Sequence, residues 1–316
     1  MKTLNVSASP HIKDPISTNR IMLDVVISLV PAIVASTLIF GFRALMIVGI
    51  CVAACIIFEW GYEKAMKKPV TITDFSAVIT GILLAFNLPV TIPVWQALFG
   101  CFIAIILVKQ LFGGLGKNFA NPAIVARITM FLAFSATMTN YAKSTADVLC
   151  AATGADAVSS ATPLMLIKGG NIAALPELAD MLLGNRGGVL GETCAVALIL
   201  GGAYLLIRRV ISWHTPVCFI GTVFIFTALL GQQPVYQVLS GGLILGAFFM
   251  ATDYVTTPQT SWGRVVFGVG AGLLTVLFRV YGSFPEGVSY AILLMNILTP
   301  YINKFTIHKA FGGAKA

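Results

Sequence analysis

The chain has 316 residues, of which 58% are hydrophobic and only 10% charged, and its formal net charge is +8. A water-soluble domain carries about 25% charged residues, so a soluble fold of this composition would expose large bare apolar patches and is excluded. The Lys and Arg residues stand singly between apolar runs, with no basic face interleaved with aromatics. That pattern suits loops beside anionic lipid and argues against nucleic-acid binding.

Residues 1–20 are polar, with Lys2, His11, Lys13, Asp14 and Arg20, and the apolar run behind them is too long for the h-region of a cleavable signal. A bilayer core about 30 Å thick asks for roughly 20 apolar residues per helix. On that scale, spans are expected at 21–40, 44–59, 75–88, 94–112 and 122–138, then at 189–207, 216–230, 236–251, 265–281 and 288–301. Several of these are short, which points to tilted or broken helices. The stretch 139–188 is too long and too polar for a tight connection. The expected class is therefore an all-α integral membrane protein of about ten transmembrane helices. Its parts are residues 1–138, the central loop 139–188, and residues 189–316.

Orientation follows from the positive-inside rule. With the N-terminus in the cytoplasm, fifteen of the twenty Lys and Arg residues fall on the inside, and Arg43, Lys143, Lys168, Arg186 and Arg279 are left outside. Both termini are then cytoplasmic and the central loop is external. Five helices on each side of that loop predict a repeat, and an odd-numbered repeat must be inverted. Gly81-Ile-Leu-Leu-Ala-Phe in the third span echoes Gly242-Leu-Ile-Leu-Gly-Ala-Phe in the eighth, its partner in such a scheme. Asp24 and Glu192, early in spans one and six, are a second matched pair. Pro93-Val-Trp-Gln and Pro234-Val-Tyr-Gln join inequivalent spans and read as coincidence.

A carboxylate at membrane depth is costly unless paired or hydrated, so Asp24 and Glu192 are candidates for a cation pathway. The plainer reading is a carboxylate near a membrane surface, bonded to a neighbouring helix end. Asp253 and Arg264 flank a hydroxyl-rich loop that suits either an ion or a capped helix end. Gly113-Gly-Leu-Gly-Lys-Asn lacks the Ser or Thr that a phosphate loop needs after its Lys, because Asn118 stands there; a close turn is expected instead. Cys51, Cys55, Cys101, Cys150, Cys194 and Cys218 form no CxxC pair and have no His at zinc-like spacing. Packing is their expected role, the alternative being cluster ligation by Cys194 or Cys101 with groups from another subunit. In the central loop, Thr162-Pro163 reads locally as a helix N-cap followed by proline at the first helical position.

The segment from Asp156 to Thr162, Asp-Ala-Val-Ser-Ser-Ala-Thr, also resembles the flavinylation motif of the Rnf complex D subunit, whose sister family is the B subunit of the Na⁺-translocating NADH:quinone reductase. Ser9-Pro-His-Ile, Ser17-Thr-Asn-Arg-Ile-Met-Leu-Asp24, Lys117-Asn-Phe-Ala-Asn-Pro-Ala123 and Gly188-Val-Leu-Gly-Glu192 look like the same family, so the resemblance covers essentially the whole chain. Ser160 stands where the motif usually has Gly, and being small it is expected to allow the modification.

The resemblance implies a urea-transporter-like inverted repeat. It implies FMN held on Thr162 through a phosphoester, with Asp156, Ser159, Ser160 and Ala161 as the segment a flavin transferase grips, and a non-covalent riboflavin as a second cofactor. The chain would serve an ion-translocating ferredoxin:NAD oxidoreductase that moves Na⁺ or H⁺ across a prokaryotic cell membrane. Partner subunits would carry the iron–sulfur clusters, the NAD site and a second covalent flavin. Two rivals remain at this point: the quinone-reductase B subunit, and a passive channel or transporter with no redox role. A channel has no use for an external flavinylation motif.

Overall fold

The computed structural model describes residues 17–142, 161–282 and 286–307, and every regular element among them is helical. Helix α1 (Thr18–Phe40) starts where the Ser17 side chain caps the Arg20 N–H, and it passes at Gly41 directly into α2 (Phe42–Ala65). A single 3-10 turn (Ile72–Asp74) leads into α3 (Ser76–Phe86). Helix α4 (Val94–Phe102) continues as a π-helix over Ile103–Gln110. Helices α5 (Pro122–Ala133) and α6 (Ser135–Met138) complete the first half. Two short helices follow, α7 (Pro163–Lys168) and α8 (Leu178–Leu183). The second half holds α9 (Ala195–Ile207), α10 (His214–Leu229), α11 (Pro234–Leu239) and α12 (Leu243–Leu245), the last running on as a π-helix over Gly246–Met250. It closes with α13 (Ser261–Tyr281) and α14 (Val288–Thr306).

The core is apolar, but so is much of the exterior. Leu38, Ile207 and Phe305 are each about four-fifths exposed, whereas Glu59, Lys109, Arg127, Arg186 and Glu192 are buried. Exposed apolar side chains suit lipid, and buried charges must then find partners inside the bundle. Hydroxyls within the helices are satisfied locally: Ser28, Ser36 and Thr37 donate to carbonyls three or four residues back in α1, at 2.6–2.9 Å. Helix α1 crosses α9 closely, because a Cβ on Gly201 would stand 2.1 Å from the Ser28 carbonyl oxygen. Small residues at helix crossings are how membrane bundles gain packing where no hydrophobic drive exists between helices.

Contacts in the two halves run in parallel. Helix α2 packs on α3 and α4, and α10 packs on α11, the π-helix after α12, and α13. Helix α5 lies against α4, and α14 against α13, while α1 meets α9 and α5 meets α14 between the halves.

Three helices, α1, α2 and α13, are long and apolar enough to cross a membrane, and α3, α4, α5, α9 and α10 are shorter apolar helices. The expected spans differ from the structure at several places, including a break of the fifth at Phe134 and an extension of the tenth to Thr306. Residues 189–194 are not helical: the N–H groups of Leu190 and Gly191 donate to the Leu88 and Phe86 carbonyls at 3.2 and 2.9 Å, so this stretch pairs with the end of α3 before α9 begins. The eighth span breaks at Ser240–Gly242, where both glycines take positive φ. Helix α2 runs on past Glu59 to Ala65, because Glu59 and Glu63 point into polar company rather than into lipid. The described part of the central connection, 161–188, is no open loop, since α7 and α8 both rest on α11 or α9.

Candidate functional site

Thr162 lies where its local sequence places it. It is the N-cap of α7, extended at φ −69° and ψ 152°, and its side-chain oxygen accepts the Met165 N–H at 3.4 Å. Pro163 occupies the first helical position, where its missing N–H costs nothing. Ala161 is exposed, but Thr162 is only 3% exposed. Asp156, Ser159 and Ser160 lie outside the described residues. Below α7 is a cavity of about 110 Å³, lined by Leu164, Ile167, Lys168, Gln232, Gln237, Arg279 and Val280.

Leu164 and Arg279 both press on Gly241. A Cβ there would stand 2.4 Å from Leu164 Cδ1 and 2.5 Å from an Arg279 guanidinium nitrogen, and its φ of +70° is a left-handed geometry natural to glycine. The Gly241 N–H donates to the Glu192 carboxylate in a very short bond, and the other Glu192 oxygen has no partner among the described residues. Arg186 binds the Glu192 and Leu239 carbonyls at 2.8 and 2.7 Å and the Ser240 hydroxyl at 3.2 Å. Arg279 donates to the Ser240 carbonyl at 2.8 Å and to Gln237 Oε1 at 3.1 Å. The break in the eighth span is thus held open by two arginines that satisfy its freed carbonyls.

Asp24 and Glu192 do not share a site. Asp24 accepts the Tyr204 hydroxyl at 3.0 Å and pairs with half-exposed Arg208 at 3.2 Å. Between α5 and α14, Arg127 donates to Asn87 at 3.0 Å and to Ser289 at 2.9 Å, and it pairs with Glu286, which also accepts the Tyr141 hydroxyl at 3.1 Å. A further buried pair, Lys109 with Glu59 at 2.6 Å, joins α4 to α2. The positive-inside count treated Lys109, Arg127, Arg186 and Arg279 only as topological markers. Their sequence signal was a charge inside or against an apolar run, the same signal that singled out Asp24 and Glu192.

A second cavity lies between the two π-helices. Its walls include Ile79, Leu83, Phe248, Phe249 and Tyr254, and its polar groups include Thr80, Lys109, Asn118, Asn121 and Asp253. Asp253 accepts Thr256 Oγ1 at 3.2 Å, and Arg264 turns away to the Pro258 carbonyl, so these two do not pair. The cap of α13 comes from Thr260, which accepts the Gly263 N–H at 3.0 Å. Gly113, Gly114 and Gly116 all have positive φ and form the expected close turn. Cys51, Cys55 and Cys101 are buried, and among the described residues no group of three or more His, Cys, Asp or Glu is placed to hold a metal.

The sequence profile of the NQR2, RnfD, RnfE family matches residues 5–312. The chain is 45% identical over 314 residues to the D subunit of the Na(+)-translocating ferredoxin:NAD(+) oxidoreductase complex of Acetobacterium woodii, covering 99% of this chain and 96% of the relative. It is 42% identical to the D subunit of the proton-translocating ferredoxin:NAD(+) oxidoreductase complex of Clostridium ljungdahlii, covering 97% and 96%. It is 34% identical to the D subunit of the ion-translocating oxidoreductase complex of Ectopseudomonas mendocina, covering 97% and 95%. With its apolar spans and this full-length match, the chain is a multi-pass membrane protein that belongs to the NQR2, RnfD, RnfE family.

Proposed function

We propose that the chain is the D subunit of an ion-translocating ferredoxin:NAD oxidoreductase complex and carries FMN on Thr162. The observation that carries this assignment is the full-length identity to relatives named as D subunits, which favours this reading over a quinone-reductase B subunit. The chain would lie in the cytoplasmic membrane with both termini inside and Thr162 outside. The parallel contacts of α2–α5 and α10–α14, with α1 against α9 and α5 against α14 between them, support ten spans in a five-plus-five inverted repeat of the urea-transporter kind.

The surroundings of Thr162 suit a phosphoester. Its oxygen already accepts a backbone N–H, a role an ester oxygen can keep, and Lys168 and Arg279 put positive charge at the cavity beneath α7. FMN attached there would supply one- and two-electron chemistry that the polypeptide lacks. The chain fixes where that chemistry occurs: α7 is clamped by Leu164 on Gly241 and by the Lys168 ammonium on the Gly282 carbonyl. The burial of Thr162 requires attachment by a flavin transferase before α7 docks.

The cavity between the two π-helices, with Phe248, Phe249 and Tyr254 in its walls and amide and hydroxyl groups among its lining, offers stacking and hydrogen-bonding partners to a second, non-covalent flavin such as riboflavin. The iron–sulfur, NAD and second covalent flavin sites belong to partner subunits. Glu192, buried with one oxygen unpartnered among the described residues, stands on the ion route toward the outer face; Asp24, buried but paired with half-exposed Arg208, serves as an ion pair between α1 and α9.

The test is co-expression with a flavin transferase followed by a denaturing gel under ultraviolet light. A fluorescent band that vanishes in Thr162→Ala supports the reading. A dark wild-type band, or fluorescence that survives Thr162→Ala, overturns it.

A further inference from the structure

At the end of the bundle where α9 stops and α10 starts lies a cavity of about 450 Å³ that none of these roles uses. Arg209 and Arg264 line it with the hydroxyl residues Ser212, Thr215 and Tyr254, and no acidic residue is in its lining. Its positive charge is unmatched. Arg208 pairs with Asp24, but the Arg209 guanidinium makes no hydrogen bond or ion pair among the described residues. Arg264 engages only its Nε, on the Pro258 carbonyl at 3.2 Å. The nearest acid in sequence, Asp253, lines the neighbouring cavity and is taken by the Val255 N–H and the Thr256 hydroxyl.

Helix α10 has 16 residues and begins at this cavity without a side-chain cap. The N–H groups of His214 and Thr215 find no acceptor among the described residues, and Pro216 has none to offer. Free N–H groups and the positive end of a helix dipole favour an anion. A second feature points the same way. Thr215 lines the cavity and is only 2% exposed, yet its hydroxyl makes no hydrogen bond among the described residues. A buried hydroxyl without a partner is costly, and an acceptor entering the cavity would satisfy it.

Arg209 stands at this cavity against its own backbone preference. Helix α9 ends in a Schellman pattern, with the Val210 N–H on the Leu205 carbonyl at 2.9 Å and the Arg209 N–H on the Leu206 carbonyl at 3.0 Å. Arg209 holds the left-handed position of that pattern at φ 56°, where glycine is usual. An arginine there strains the backbone, and its side chain bonds to no protein group in return.

The surroundings identify the source of the anion. Trp213, Tyr254 and Trp262 stand exposed around the mouth, as amphipathic aromatics do at a membrane–water interface. One turn further along α10 and α13, Val217 and Val266 are half-exposed and continue the surface into the apolar zone. A free anion would use the cavity alone, whereas a phospholipid would use the cavity and this apolar strip together.

We propose that this cavity binds the phosphate group of an anionic glycerophospholipid. Arg209, Arg264, the Thr215 hydroxyl and the free N–H groups of α10 hold the phosphate, and the acyl chains run along Val217 and Val266. Basic pockets between membrane helices take such head groups through charge-assisted hydrogen bonds.

In the test, the full chain in a neutral detergent is titrated with dioctanoyl phosphatidylglycerol and with dioctanoyl phosphatidylcholine. Tryptophan fluorescence and melting temperature are the readouts. Phosphatidylglycerol should bind saturably and about tenfold more tightly than phosphatidylcholine, whose choline adds positive charge at the mouth. Arg209→Gly should weaken phosphatidylglycerol binding about tenfold. Its lipid-free melting temperature should equal or exceed that of wild type, because glycine relieves the left-handed strain. Thr215→Val, nearly the same in shape, should weaken binding about fivefold. Wild-type affinity in either variant, or equal affinity for the two lipids, overturns the proposal. Inorganic phosphate is titrated separately; if it binds as tightly as phosphatidylglycerol, the site takes free phosphate and the lipid assignment falls. Phosphatidylglycerol retained by the purified complex is also counted. A count that Arg209→Gly leaves unchanged means that something else fills the cavity, such as an acidic segment of a partner subunit, and the proposal falls likewise.

Discussion

The Glu192 carboxylate is bonded to the backbone N–H of Gly241, the residue on which Leu164 of α7 rests. One glycine therefore joins the buried acid of the second half to the helix that begins at Thr162. Gly241→Ala would drive a methyl group into Leu164 and Arg279 at a positive φ. Strain and overpacking together should cost about 2–4 kcal/mol. The expected outcome is a lower melting temperature in detergent and faster protease cleavage within 161–188. A wild-type melting curve with an unchanged cleavage pattern would refute the link.

Arg127 tests the seam between the halves. Its guanidinium reaches Asn87 on the first half and Ser289 and Glu286 on the second. Removing one partner of a buried ion pair strands the other, at a cost of about 3–5 kcal/mol. Arg127→Met should therefore abolish or sharply reduce folded protein. Arg127→Lys should recover little, since an ammonium cannot reproduce a planar fork spanning three partners. Recovery of full stability by Lys, measured by thermal unfolding, would show that charge alone matters there.

The sequence made the bundle legible because lipid demands long apolar runs, and ten such runs are visible by composition. It did not reveal where they break. Residues 189–194 look like the start of a helix, but their N–H groups are claimed by the Leu88 and Phe86 carbonyls, contacts made across about a hundred residues of chain. The eighth span breaks at Gly241 and Gly242 because Arg186 and Arg279, remote in sequence, satisfy the freed carbonyls. Thr162 was readable as a cap, since capping depends on a few adjacent residues. The partners of Asp24, Glu59 and Glu192 were not readable, because buried pairs are set by helix rotation and not by spacing along one helix.

The two carboxylates first matched by symmetry should behave differently. Asp24→Asn keeps an acceptor for the Tyr204 hydroxyl and loses only a pair with half-exposed Arg208. Because Arg208 can turn to solvent and Asn still accepts the Tyr204 hydroxyl, stability should fall only modestly and ion transport per electron should be preserved. Glu192→Gln replaces a buried carboxyl bonded to the Gly241 N–H by an uncharged amide, and should lower the ions moved per electron in reconstituted complex. Equal effects of the two variants on that ratio would undo the distinction.

If Thr162 bears the flavin as proposed, it has two roles that a single alanine cannot separate. Thr162→Ala removes both the N-cap and the hydroxyl, so loss of flavin could follow from a frayed α7 that costs about 1 kcal/mol of cap. Asn is as good a cap as Thr but has no hydroxyl to esterify. Thr162→Asn should therefore give a protein as stable as wild type with no in-gel flavin fluorescence, whereas Thr162→Ser should keep both the cap and the fluorescence. If Thr162→Asn still fluoresces, the flavin is attached elsewhere. If Thr162→Ser is dark while melting like wild type, attachment needs the threonine methyl group as well as its hydroxyl, and the transferase reads shape at this position.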